Sequence, residues 1–121
     1  MTTVPLVLYG IPNCDTVKRA RAWLAGQGMT VPLHDFKKQG VPPDELDQWL
    51  QAVGWQTLIN RKGNTWRQLA AGEQAAVVDL AGARALALAQ PSVIKRPVVA
   101  WPDGGVTVGL QPMIDRATGL A

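Results

Sequence analysis

Apolar and polar positions follow two different periods along this chain, and each change of period marks an element. Leu6-Val7-Leu8-Tyr9 is a short, bulky apolar run, which predicts a buried strand. Gly10, Pro12 and Asn13 break it as turn residues do. From Asp15 the period lengthens, so that Val17, Ala20, Leu24 and Gly28 fall on one helical face while Lys18, Arg19 and Arg21 lie elsewhere. Gly26 and Gly28 supply a stop, and Val31 to Phe36 predicts a short strand. Pro32 inside that stretch favours an edge position or a start later than Val31. Lys37 to Val41 is expected to be a loop. Pro42-Pro43-Asp44-Glu45 then opens a second helix, with proline early and carboxylates in the first turn. Its apolar face is Leu46, Trp49, Leu50 and Val53, and Gly54 closes it.

The pattern continues with a brief helical turn over Trp55 to Ile59, a polar basic loop over Asn60 to Thr65, and renewed order from Trp66 to Leu69. Gly72 to Leu80 and Gly82 to Gln90 are rich in Ala and Leu, predicting two helices or one kinked near Gly82. Pro91 ends them. Pro97 to Trp101 and Val106 to Leu110 flank the turn residues Pro102 to Gly105, a hairpin signature. A last short helix is expected after Pro112, carrying Met113, Ile114 and Ala117. The order implies an α/β fold, a mixed sheet of about four strands covered by helices, with the first strand central. No repeat, linker or low-complexity stretch divides the chain, so residues 1–121 are expected to form one domain.

Composition narrows the function. With 121 residues and 47% apolar content, the chain can bury a core without staples. A net charge of +3 comes without basic runs or interleaved aromatics, so nucleic acid is not an expected partner. No stretch approaches the roughly 18 apolar residues of a membrane span. The N-terminal residues Met1 to Pro5 lack the basic region and cleavage site of an export signal. With one cysteine besides, a reducing cytoplasm is the expected compartment. No second Cys or His stands at metal-ligand spacing, so no metal site is expected.

That single cysteine, Cys14, stands where the first strand hands over to the first helix. Most free cysteines are small packing residues. Here Asn13, Asp15 and Thr16 make a polar turn around it, and a helix N-terminus offers unpaired N–H groups and a positive dipole end that favour thiolate. A reactive nucleophile is the better reading. The Asp15 carboxylate would repel a thiolate, so a cation is required nearby.

Ile94-Lys95-Arg96-Pro97 is the second informative stretch. Pro97 has no N–H to give a strand ladder, so this backbone end is free to face a ligand. Lys95 reads as a solvated charge. Arg96 is the stronger candidate, since a guanidinium pairs bidentately with an oxyanion or carboxylate and steadies a thiolate. His34 beside Asp35 belongs to no motif and reads as a packed or exposed strand histidine. Trp49, Trp55 and Trp66 read as core or site-rim packing.

Taken together, Leu8 to Thr16 with Lys18 and Ala20, His34-Asp35-Phe36, Leu58-Ile59-Asn60-Arg61 with Gly63, Thr65-Trp66-Arg67, and Ile94 to Pro97 resemble the arsenate reductase/Spx family of thioredoxin-like proteins. The likeness covers nearly the whole chain and is greatest to YffB-type members. It implies a thioredoxin-like core with a helical insertion between its halves, and a cis Pro97 close to Cys14. It also implies that Arg96 matches the arginine that binds oxyanion beside the cysteine of arsenate reductases, with Asn60 or Arg61 matching another.

The departures shape the expected activity. Val17 stands where thioredoxins and many Spx proteins have a second cysteine. Gly10 stands where glutathione-coupled arsenate reductases have a histidine, and Val106 to Leu110 lacks their arginine. The resemblance therefore implies a glutathione-dependent thiol reductase, with no bound cofactor and glutathione as co-substrate. Cys14 and Arg96 would be catalytic, and Asn13, Thr16, Asn60, Arg61, Lys95 and Pro97 would bind substrate, with Arg61 and Arg96 on the tripeptide's carboxylates. Expected partners are glutathione, a glutathionylated or disulfide substrate, and glutaredoxin. Two alternatives stand beside it: a non-enzymatic Spx-like adaptor that binds the RNA polymerase alpha subunit, and arsenate reduction coupled to glutathione and glutaredoxin.

Overall fold

The computed structural model describes residues 6–119. The reading of Met1 to Pro5 as free of an export signal lies outside the described residues. Among the described residues two compact units form, one from residues 6–39 with 96–119 and one from Gly40–Lys95.

In the first unit the opening apolar run becomes β1 (Val7–Gly10), followed by α1 (Asp15–Gly26) and β2 (Leu33–Asp35). β1 and β2 run parallel, Leu8 opposite Leu33. β2 starts later than Val31, and only the Pro32 carbonyl joins the pairing, accepting the Leu8 N–H at 3.1 Å. The chain returns with β3 (Val98–Ala100) and β4 (Val106–Val108), an antiparallel hairpin docked on β1. The sheet order is β2-β1-β3-β4, which puts β1 inside and the three-residue β2 at an edge. Val17, Ala20 and Leu24 project from one face of α1 into a core with Leu8, Val99, Trp101 and Met113. That face has the helical period read from the sequence.

Local caps correct two sequence expectations in this unit. The expected loop from Lys37 instead begins as a helical turn, α2 (Phe36–Gln39). The Asp35 carboxylate accepts the Lys37 N–H at 2.9 Å and starts the turn, while Gly40, at φ 72°, ends it. The closing helix was expected after Pro112, but the last helix runs Leu110–Ala117. Gly109, at φ 100°, turns the chain sharply out of β4. Pro112 then falls in the first helical turn, where a missing N–H costs no hydrogen bond.

The second unit is helical. α3 (Pro43–Val53) buries Leu46, Trp49 and Leu50, and Gly54, at φ 83°, closes it. α4 (Trp55–Leu58) follows, then α5 (Asn64–Gln68), which starts inside the stretch expected to be loop, then α6 (Ala71–Ala75) and α7 (Leu80–Ala89). The Ala/Leu-rich region is thus two helices, and the break falls before Gly82 rather than at it. Asp79 is the reason: its carboxylate accepts the Gly82 N–H at 2.8 Å and caps α7. Gly82 is required beside that cap, since a methyl there would meet the Ala76 carbonyl oxygen at 2.5 Å. Arg84 on α7 pairs with Asp47 on α3 at 2.6 Å. Among the described residues no helix is long and apolar enough to cross a membrane.

Candidate functional site

Cys14 is the N-cap of α1, in extended backbone after the turn that its own N–H closes on the Ile11 carbonyl at 3.1 Å. It is half-buried, with Asn13 and Asp15 exposed on either side and Val17 buried. A cysteine forms no conventional side-chain cap here. The N–H groups at the head of the helix act on the ionised sulfur instead. Burial raises the thiol pKa and is the largest single influence. It is outweighed by the Val17 N–H, by the hydrogen bond and charge of the Arg96 guanidinium, and by the Thr16 N–H. The net pKa lies below the ordinary thiol value.

Arg96 is therefore the cation that the Asp15–Cys14 sequence demanded. It precedes β3, half-buried, and its peptide bond to Pro97 is cis. Pro97 is buried, and its carbonyl accepts the Gly109 N–H at 2.9 Å, tying this end of the hairpin to the start of α8, the Leu110–Ala117 helix. Thr16 is half-buried and contributes through its backbone N–H.

The thiol's pH behaviour follows from these contacts. Cys14 should be alkylated by iodoacetamide with a midpoint below about 8.5, the value of a free thiol. The rate rises as pH climbs through that midpoint and then levels, because only the thiolate attacks. A midpoint at or above the free-thiol value would contradict the arrangement of N–H groups and guanidinium.

The remaining candidates gather within the second unit. An isolated antiparallel bridge joins Ile59 to Ile94, flanked by Asn60 N–H to Val93 carbonyl at 2.7 Å and Lys95 N–H to Leu58 carbonyl at 2.8 Å. Asn60 and Lys95 are thereby fixed on one cleft of about 310 Å³, lined also by Gln56, Thr57, Ile59, Arg61 and Lys62. The Asn60 side-chain oxygen accepts the Lys62 N–H at 3.2 Å and holds the turn. Arg61 lies over the Trp55 ring, 5.9 Å from its centre. Three cations and no acid line this cleft, so it suits an anionic group. A depression of about 370 Å³ beside Arg21, Leu24, Met29, Thr30 and Val31 in the first unit holds no cysteine, histidine or carboxylate.

Val17 and Lys62 join the site beyond the residues expected from the sequence. Val17 was legible in principle, because the residue three positions after an N-cap presents its N–H to the capping side chain. Lys62 carried no such signal. His34 packs with Tyr9, ring centres 5.1 Å apart, as a strand histidine in an aromatic group. Among the described residues no group of three His, Cys, Asp or Glu side chains could hold a metal.

Comparison with known proteins agrees with this architecture. The sequence profile of the ArsC family matches residues 9–113. An uncharacterised protein of Haemophilus influenzae is 37% identical over 105 residues, covering 86% of this chain and 90% of that one. A solved YffB protein is 44% identical, with a TM-score of 0.84, covering 96% of this chain and 99% of the other. An arsenate reductase-related protein of Brucella melitensis is 42% identical, with a TM-score of 0.73, over all of this chain and 99% of its own.

Proposed function

This chain belongs to the ArsC family, with its thioredoxin-like fold, and from that premise we propose that it is a thiol reductase with Cys14 as nucleophile and glutathione as co-substrate. One observation carries the reading: half-buried Cys14 stands at the N-cap position of α1, where the head of the helix and the Arg96 guanidinium hold its thiol below the ordinary pKa and favour the ionised form.

The reaction runs by thiol–disulfide exchange. The Cys14 thiolate attacks the glutathionyl sulfur of a mixed disulfide, forming Cys14–S–S–glutathione and releasing the substrate thiolate, which takes up a proton. A glutathione thiolate then attacks that same glutathionyl sulfur, yielding oxidised glutathione and returning Cys14 as thiolate. The substrate disulfide is reduced and two glutathione units leave joined. No second protein cysteine is needed, and the chain has none. Arg96 stabilises sulfur as charge builds and fades on it, and the Thr16 and Val17 N–H groups do the same from the helix. Asn13, exposed beside Cys14, and Pro97, on the Arg96 side, would bound the bound disulfide. Asn60, Arg61 and Lys95, on the cation-lined cleft of the second unit, would bind a carboxylate of substrate or co-substrate.

Arsenate is the less suitable substrate, because Val106 to Leu110 brings no arginine and Gly10 brings no imidazole. The test is intact-mass spectrometry of the native protein with oxidised glutathione. A single glutathione adduct should form rapidly and be removed by reduced glutathione, with glutaredoxin able to replace the latter. A thiol that stays unmodified until the protein is denatured would overturn the proposal. Stoichiometric binding of RNA polymerase alpha subunit that survives Cys14→Ser would then favour the adaptor reading.

A further inference from the structure

Gly10 is the last residue of β1, and Val17 is the third residue of α1. Val17 is fully buried, and a methyl built on Gly10 would stand 2.8 Å from its Cγ2. No carbon pair tolerates that approach. A helical valine is held in essentially one χ1 rotamer, so it cannot swing aside. Relief would have to come from movement of the helix itself. That same valine lies three residues past Cys14, the N-cap of the helix, and its N–H is among the groups that lower the thiol pKa.

We propose that Gly10 and Val17 form a size-matched pair that fixes the head of α1 against β1, making both of them positioning residues for the Cys14 sulfur. The inference rests on the nucleophile reading above and extends it to two residues that touch no substrate. The small residue on the strand lets the helix come close, and the stiff side chain on the helix sets how close. Two charged groups flank the sulfur: Arg96, from the segment before β3, and Asp15, exposed at the first position of α1. Neither is removed by the substitutions, and both keep their charge.

The experiment compares iodoacetamide alkylation against pH for the wild type, Gly10→Ala, Val17→Ala and the double variant. In Gly10→Ala the rate at neutral pH should fall at least about threefold, as expected when one N–H bond to a charged group is weakened. Its midpoint should rise while the high-pH plateau stays unchanged. Val17→Ala leaves the helix loosely seated and should also raise the midpoint. The double variant adds one methyl on the strand where two are lost from the helix, which removes the clash and refills part of the gap, so its midpoint should return towards the wild type. A midpoint unmoved in folded Gly10→Ala or in Val17→Ala would overturn the proposal, and so would a double variant displaced as far as the single ones. Should Gly10→Ala fail to fold, Val17→Ala against the double variant carries the same comparison. Alkylation reads the thiolate without glutathione. A wild type that alkylates as described yet forms no glutathione adduct would therefore overturn the proposed function and leave this pair standing.

Discussion

Cys14→Ser is expected to abolish turnover of a glutathionylated thiol substrate, by at least about a thousandfold, while leaving the protein folded. A serine hydroxyl does not ionise near neutral pH and forms no disulfide, so both exchange steps vanish together. The substitution is mild for the structure. Serine is among the best N-cap residues, and its oxygen can accept the Thr16 or Val17 N–H at the head of the helix. Stability should be unchanged or raised by about 0.5–1 kcal/mol. Thermal unfolding and coupled turnover, measured on one preparation, separate the two effects. Turnover that persists in a folded Cys14→Ser protein would remove the thiol from the mechanism.

Trp49→Ala should cost about 3–5 kcal/mol, the range for deleting a buried tryptophan or phenylalanine side chain. Trp49 is 1% exposed on the α3 face that also buries Leu46 and Leu50. A whole domain holds only about 5–15 kcal/mol in reserve. Losing this side chain therefore brings the helical unit close to unfolding. The contrast is Asp47→Ala on the same helix. It removes the ion pair with Arg84, whose two side chains are 37% and 46% exposed, so solvent already screens the attraction. Urea titrations followed by far-UV circular dichroism should show a large midpoint shift for Trp49→Ala and little for Asp47→Ala. Equal shifts would mean that α3 is held by its charges rather than by its buried face.

Period alone made β1, α1, the α3 face and the closing hairpin readable, because each buries one side against a core. Pro32 even carried the late start and edge position of β2. The misplaced boundaries share a different cause. Asp35 and Asp79 start helical turns by accepting one backbone N–H each, and a lone aspartate looks alike in a loop and at a cap. Pro112 was read as a helix start when it sits inside the first turn, since Gly109 had already made the bend. Cys14 and the need for a cation were legible from the strand-to-helix handover and the neighbouring Asp15. That Arg96 meets that need depends on β3 pairing beside β1, a long-range fact that no local pattern encodes. The cation-lined cleft was less legible still, because a single backbone bridge between Ile59 and Ile94 assembles it.

The outer strands of the sheet, β2 and β4, are three residues long apiece, and Pro32 stands immediately before the first of them. Exposed strand borders are where one folded chain recruits another into intermolecular pairing, and brevity and proline are among the devices that blunt them. The longer strand, β1, lies inside, with β2 and β3 occupying its two sides. Among the described residues the sheet thus keeps its longest strand covered and leaves three-residue strands at its borders, a pattern that disfavours pairing with a neighbouring copy.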